Sequence, residues 1–173
     1  MPWLIPDEHQ EEVEAAREIV LRRLDRAPAS RAALAELLER KEVDHRVAQE
    51  VLDRLEAAGL IDDGAYAATL ARTRFAEKGA ARRAIAAELR RKGLGERAIS
   101  GALAQISGDD EAGAALALAR KRLRATRGLD PVVRRRRALA ALGRKGHSQA
   151  VALDAFERAL AEEAREVQGP DGH

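Results

Sequence analysis

An all-α fold of three tandem three-helix repeats, laid out as an elongated and curved array, is predicted by three observations. Aromatic residues make up only 2% of the 173 residues, and the apolar 46% is dominated by alanine and leucine, a mixture that disfavours a β-sandwich or barrel and favours helices. Apolar residues recur at helical spacing. Three segments, 30–59, 81–110 and 134–163, align without gaps on Lys41, Lys92 and Lys145. Each anchor follows an arginine (Arg40, Arg91, Arg144). Leu38, Leu89 and Leu142 stand three residues before it, and Arg31, Arg82 and Arg135 ten before it. A fixed period of about fifty residues marks a repeat architecture. Units this small have thin cores and must lean on their neighbours.

The elements follow in order. A first helix over 11–26 places Ile19, Val20 and Leu24 on one face, and Pro28 ends it. The first repeat's second helix carries Leu34 and Leu38 one turn apart. Its turn has Glu42 where the other repeats have Gly93 and Gly146, so a different turn is expected there. Asp44 is the N-cap of the following helix. Asp62 and Asp63 open a helix through Tyr66 and Leu70 to about Glu77. Ile85 and Leu89 mark the next, and Gly95 is a weaker cap for the one after. Asp109 and Asp110 open the third repeat, with Leu116, Ala119 and Leu123 inward. Asp130-Pro131 supplies an N-cap carboxylate followed by proline at the first helical position, and Ser148 caps the last helix. Gly143 weakens its helix by about 1 kcal/mol relative to alanine, so a mobile third repeat is expected. The resulting division is 1–10 as a flexible N-terminus, on which Trp3 and Leu4 offer a docking residue pair, repeats at 11–59, 60–108 and 109–167, and a disordered tail at 168–173.

Composition excludes several function classes. There is no cysteine, hence no disulfide scaffold, thiol enzyme or Cys-ligated zinc. No apolar run reaches the ~20 residues of a membrane span, and the first ten residues do not read as a secretory signal. A cytoplasmic protein with no membrane contact is expected. His9, His45, His147 and His173 do not share metal-ligand spacing. His147 takes the place of Val43 and Leu94 in the other repeats and reads as a half-buried packing residue. The paired acids Asp62-Asp63 and Asp109-Asp110-Glu111 read as helix starts. With no phosphate loop or nucleophile motif, no catalytic residue, metal or cofactor is expected, and the protein is not read as an enzyme.

Charge is divided unevenly. Residues 1–63 carry nine Lys/Arg against sixteen Asp/Glu, and residues 64–173 twenty-two against thirteen. Within 120–145 only Asp130 opposes a run that includes Arg120, Arg124, Arg127, Arg134 and Arg135. Arg120, Arg124 and Arg127 are expected on one helical face. Residues 72–92 form a second basic stretch containing Arg91. Compensation by Glu at i,i+4 is largely missing. Such density fits a surface for phosphates or an acidic protein. Tyr66, Phe75 and Phe156 occupy apolar-face positions, so base stacking is not expected. Any DNA contact would be weak, electrostatic and non-specific.

The stretch Leu60 to Leu94 resembles the RecX family of recombination regulators. Leu60-Ile61-Asp62-Asp63, Tyr66-Ala67, Leu70, Arg72 and Arg74 are similar to its signature opening helix. Ile85, Glu88-Leu89 and Lys92-Gly93-Leu94 are similar to its ELxxKG motif. Tyr66 stands where phenylalanine is commoner. The resemblance covers roughly residues 11–163. It implies a non-enzymatic modulator that binds the RecA filament on single-stranded DNA, in its groove or at its end, and suppresses ATP hydrolysis, strand exchange and co-protease activity. It also implies Arg72, Arg74, Arg82, Arg83 and Lys92 as contacts.

The alternative is a winged-helix-like DNA-binding regulator, with 30–63 supplying the helices and a β-hairpin wing after Ile61. The Ala-rich pattern from Asp62 to Glu77 and the acidic character of 44–58 speak against it. A third reading is a helical adaptor with no nucleic-acid link. No sustained heptad is present, and a monomer is expected.

Overall fold

The structure is a computed structural model and describes residues 7–169. Among these it has nine helices and no strand: α1 (Glu8–Arg26), α2 (Arg31–Arg40), α3 (His45–Ala57), α4 (Asp63–Lys78), α5 (Arg82–Arg91), α6 (Glu96–Leu103), α7 (Gly108–Ala125), α8 (Pro131–Arg144) and α9 (Gln149–Val167). The segment after Ile61 is α4, where a winged helix would need a hairpin. The docking expected of Trp3 and Leu4, and residues 170–173 of the expected tail, lie outside the described residues.

Local chemistry sets the helix ends. Asp7 caps α1 by accepting from the backbone N–H of His9, with Glu8 and Glu11 in the first turn. The helix therefore begins three residues before its expected start and includes 8–10. Asp44, Asp130 and Ser148 cap α3, α8 and α9 as expected. Asp62 accepts from Ala65 N–H at 2.9 Å at the start of α4. At α7 the cap is Ser107 rather than an aspartate; Ser107 and Asp110 form a reciprocal capping box.

One expectation fails instructively. Glu42 adopts φ +59, the same left-handed conformation as Gly93 (+81) and Gly146 (+87). All three turns close with the same bonds. The left-handed residue's N–H returns three residues, to Glu39, Arg90 and Gly143, and the next N–H returns five, to Leu38, Leu89 and Leu142. This is the Schellman closure. The first turn does not differ in backbone, because the closure requires φ > 0 whatever the side chain.

The glycines of the second and third repeats meet a further demand. A Cβ on Gly93 would lie 2.9 Å from Ala32 Cβ, and one on Gly146 2.6 Å from Ala84 Cβ. Each turn abuts the start of the corresponding helix in the preceding repeat. Ser30, the cap of α2, donates its hydroxyl to the Lys92 carbonyl. Ala81, at the aligned position before α5, donates its N–H to the Lys145 carbonyl at 2.9 Å. The aligned residue of the third repeat, Arg134, lies inside α8, because α8 begins at Pro131. The first turn carries Glu42, whose side chain is exposed.

These two joints fall in two compact units. The first runs to Leu70 and takes Glu88–Ala102; the second takes Ala71–Ala87 and everything from Leu103. The middle repeat is divided between them. The first unit's core is built on Val13, Val20, Leu34, Leu38, Val51, Leu52 and Leu55. In the second, six of the ten clustered core residues are alanine, packed with Leu116, Leu123, Leu142 and Phe156. Alanine contributes little buried area but lets helices approach closely.

Candidate functional site

In the first unit the repeat arginine at the start of α2 is a structural tie. Arg31 pairs with Asp53 at 2.6 Å and with Glu56, both on α3. Asp63 of α4 accepts from the Arg31 backbone N–H at 2.9 Å, so the second acid of the Asp62-Asp63 pair finishes the start of α2. Arg91 is exposed at the end of α5. Lys92 is half-buried, its carbonyl held by Ser30. Arg91 and Lys92 line an open pocket with Arg23, Tyr66 and Glu36. Among the described residues, neither has a carboxylate within ion-pair distance.

In the second unit, Arg72 donates to Gln105 Oε1 at 2.9 Å, and Arg74 is half-buried on the same helix. Arg82 repeats the role of Arg31: its Nε donates to Glu111 at 2.8 Å and an Nη to the Ile106 carbonyl at 3.4 Å. Arg83, its neighbour, is exposed without a carboxylate partner among the described residues. The third repeat arginine, Arg135, sets its guanidinium 5.8 Å from the Phe156 ring centroid, a cation–π distance.

Three arginines of the long basic run are compensated from elsewhere in the chain. Arg120 pairs with Glu162 through two bonds, 2.6 and 2.8 Å. Arg134 donates to Glu163 at 2.9 Å and to the Leu123 carbonyl at 2.8 Å, which ties α8 to the end of α7. Arg127 reaches Glu163 at 3.5 Å. It lies in the turn after α7, which ends at Ala125, so it does not continue the helical face of Arg120 and Arg124. Arg120, Arg124 and Arg127 nonetheless line one groove between α7 and α9. Arg124 has no carboxylate within ion-pair distance among the described residues. The Arg134–Glu163 pair is largely shielded, 15% and 18% exposed.

Titration follows these contacts. The hydrogen bond from Arg120 holds the Glu162 carboxyl below the usual carboxylate range. The bond from Arg134, with help from Arg127, does the same for Glu163. Arg90 lowers Glu96 in the first unit. Reading along the chain missed Glu162 and Glu163, because they stand 42 and 29 residues from the partners they neutralise. The available signal was the length of α9, which runs eight residues past its last buried side chain, Ala159.

His147 is 3% exposed, more buried than expected, and its Nε2 lies 3.0 Å from the Gly79 carbonyl. Nε2 therefore carries the proton; Nδ1 is buried with no partner. The ring packs the joint of the second unit. Among the described residues no group of three His, Cys, Asp or Glu is placed to hold a metal ion, and no helix is long and apolar enough to cross a membrane.

Two family models match, described as the second three-helix domain of RecX over residues 62–103 and the third over 109–156. The chain is 44% identical over 156 residues to the regulatory protein RecX of Streptomyces coelicolor, covering 90% of this chain and 83% of that one. It is 41% identical over 155 residues to that of Thermobifida fusca, covering 90% and 84%. Among solved structures, RecX from Lactobacillus salivarius superposes with a TM-score of 0.77 at 17% identity, over 87% of this chain and 97% of that one. A second RecX structure gives 0.73 at 26% identity, over 87% and 74%.

Proposed function

The chain belongs to the RecX family, and from that membership we propose that it is a negative regulator of the RecA recombinase. It binds RecA assembled on single-stranded DNA, in the groove or at the end of the filament, and lowers ATP hydrolysis, strand exchange and co-protease activity. It acts as a non-enzymatic cytoplasmic monomer with three structural repeats, and its own DNA binding is weak and non-specific. The observation that carries this reading is the identity of over 40% with regulatory RecX proteins along nine-tenths of the chain. Exposed, uncompensated arginines in the basic part support it.

The structure refines which residues to test as contacts. Arg31-like ties make Arg82 a poor choice, since its loss would disturb Glu111 and Ile106. Arg83, Arg91 and Arg124 are the better choices. Arg72, Arg74, Lys92, Arg120, Arg127, Arg134 and Arg135 remain candidates with internal duties to separate.

The test is a titration into RecA on single-stranded DNA, following ATP turnover. Loss of hydrolysis is expected. Inhibition at substoichiometric protein favours the filament end, and inhibition that tracks stoichiometry favours the groove. No effect at saturation removes the proposal and leaves a helical adaptor. An Arg83→Ala/Arg91→Ala variant is expected to need several-fold more protein for the same inhibition, with unchanged helix content.

A further inference from the structure

The final turns of α9 differ from the rest of the helix in what holds them. Ala152, Ala155, Phe156 and Ala159 are buried. Beyond Ala159 no described residue is buried, and Leu160 and Val167 are 40% and 83% exposed. The polar ties of this segment to α7, α8 and the turn between them are ion pairs: Glu162 on Arg120, and Glu163 on Arg134 and Arg127.

Burial of apolar area is insensitive to salt, whereas the partly exposed pairs Arg120–Glu162 and Arg127–Glu163 are screened by it and are open to competition. An attachment with no buried side chain beyond Ala159, resting chiefly on the second kind, is displaceable. Its competitor must offer anionic oxygens to guanidinium forks, as phosphodiesters do. The groove beneath adds Arg124, which has no carboxylate partner among the described residues and so attracts such a ligand before the segment moves. Arg134 would stay in place through its bond to the Leu123 carbonyl. Arg120 and Arg127 would be released.

We infer that the α9 segment 160–167 is an autoinhibitory cover, whose Glu162 and Glu163 occupy the groove arginines until the phosphate backbone of a single strand displaces them. This rests on reading those arginines as contacts, and regulates that same surface. Closed, the cover keeps intrinsic nucleic-acid affinity low; open, it adds two phosphate contacts.

The test uses an oligothymidylate probe and no RecA, so its failure is distinct from failure of the RecA reading. Fluorescence anisotropy is measured from low to moderate salt for the wild type and for Glu162→Gln/Glu163→Gln. Each phosphate contact adds roughly 0.7 to the salt slope on a single strand. The variant is expected to bind about ten-fold tighter near 0.1 M salt, with a slope steeper by about 1.4. A charge-matched Glu11→Gln/Glu12→Gln variant is expected to match the wild type. Adding Arg120→Gln/Arg127→Gln to the first variant is expected to cancel the gain. Backbone hydrogen exchange over 162–168 in the wild type is expected to quicken when the oligonucleotide binds, a readout that survives if the variant folds poorly. Equal affinities, an equal gain in the charge-matched variant, or unchanged exchange in the bound wild type would overturn the inference.

Discussion

At the scale of single residues, one position in three near-identical turns separates two physical demands. Positive φ costs a non-glycine residue about 1–2 kcal/mol, and Glu42 bears that cost with its side chain exposed. Gly93 and Gly146 meet the same φ demand and also a steric one, the approach of Ala32 and Ala84. Glu42→Gly is therefore expected to stabilise the protein by about 1 kcal/mol, read as a higher denaturant midpoint. Gly146→Ala is expected to destabilise it by about 2–4 kcal/mol, from the φ penalty together with overpacking. Opposite signs in the same assay separate the two demands; equal signs would refute this account. The motif glycine at 93 thereby acquires a structural reason, whereas the Ser30 hydroxyl meets the backbone carbonyl of Lys92 and asks nothing of the lysine side chain.

At the scale of elements, the helices were legible because their ends are written in short-range chemistry. Asp44, Asp130 and Ser148 cap where expected, and Asp130-Pro131 starts α8. The errors are also local. Asp7 begins α1 early, and Ser107 rather than an aspartate starts α7. What could not be read was the match of α9 to α7. Its ion pairs give a pH signature. The folded-state carboxyls of Glu162 and Glu163 titrate below the ordinary range near 4.3. Their contribution to stability is therefore full above that range and is lost as pH falls through the lowered folded values. Melting temperature should drop more steeply with acidification below about pH 5 in the wild type than in Glu162→Gln/Glu163→Gln. Parallel curves would show that the pairs add nothing to folding.

At the scale of the whole molecule, the repeat seen along the chain and the units seen in space are different partitions. The middle repeat gives its α5–α6 turn to the first unit and its 81–87 segment to the second. Its two joints, Ser30 with Lys92 and Ala81 with Lys145, each need a partner outside the repeat. A fragment of residues 60–108 is accordingly expected to show little helix by circular dichroism, whereas the full chain is strongly helical. A cooperative unfolding transition in that fragment would show that the repeat is self-sufficient.

Sequence alone determined the all-helical class, the order of the helices and the three-fold periodicity, because propensity, capping and turn chemistry act over a few residues. It also carried the family resemblance. Only the tertiary structure decided which arginines are already engaged. Arg82 and Arg120 looked as available as Arg83 and Arg124, and the difference lies in Glu111 and Glu162, 29 and 42 residues away. Coulomb and hydrogen-bond energies depend on distance in space, and no periodicity along the chain encodes which carboxylate folding will bring within reach.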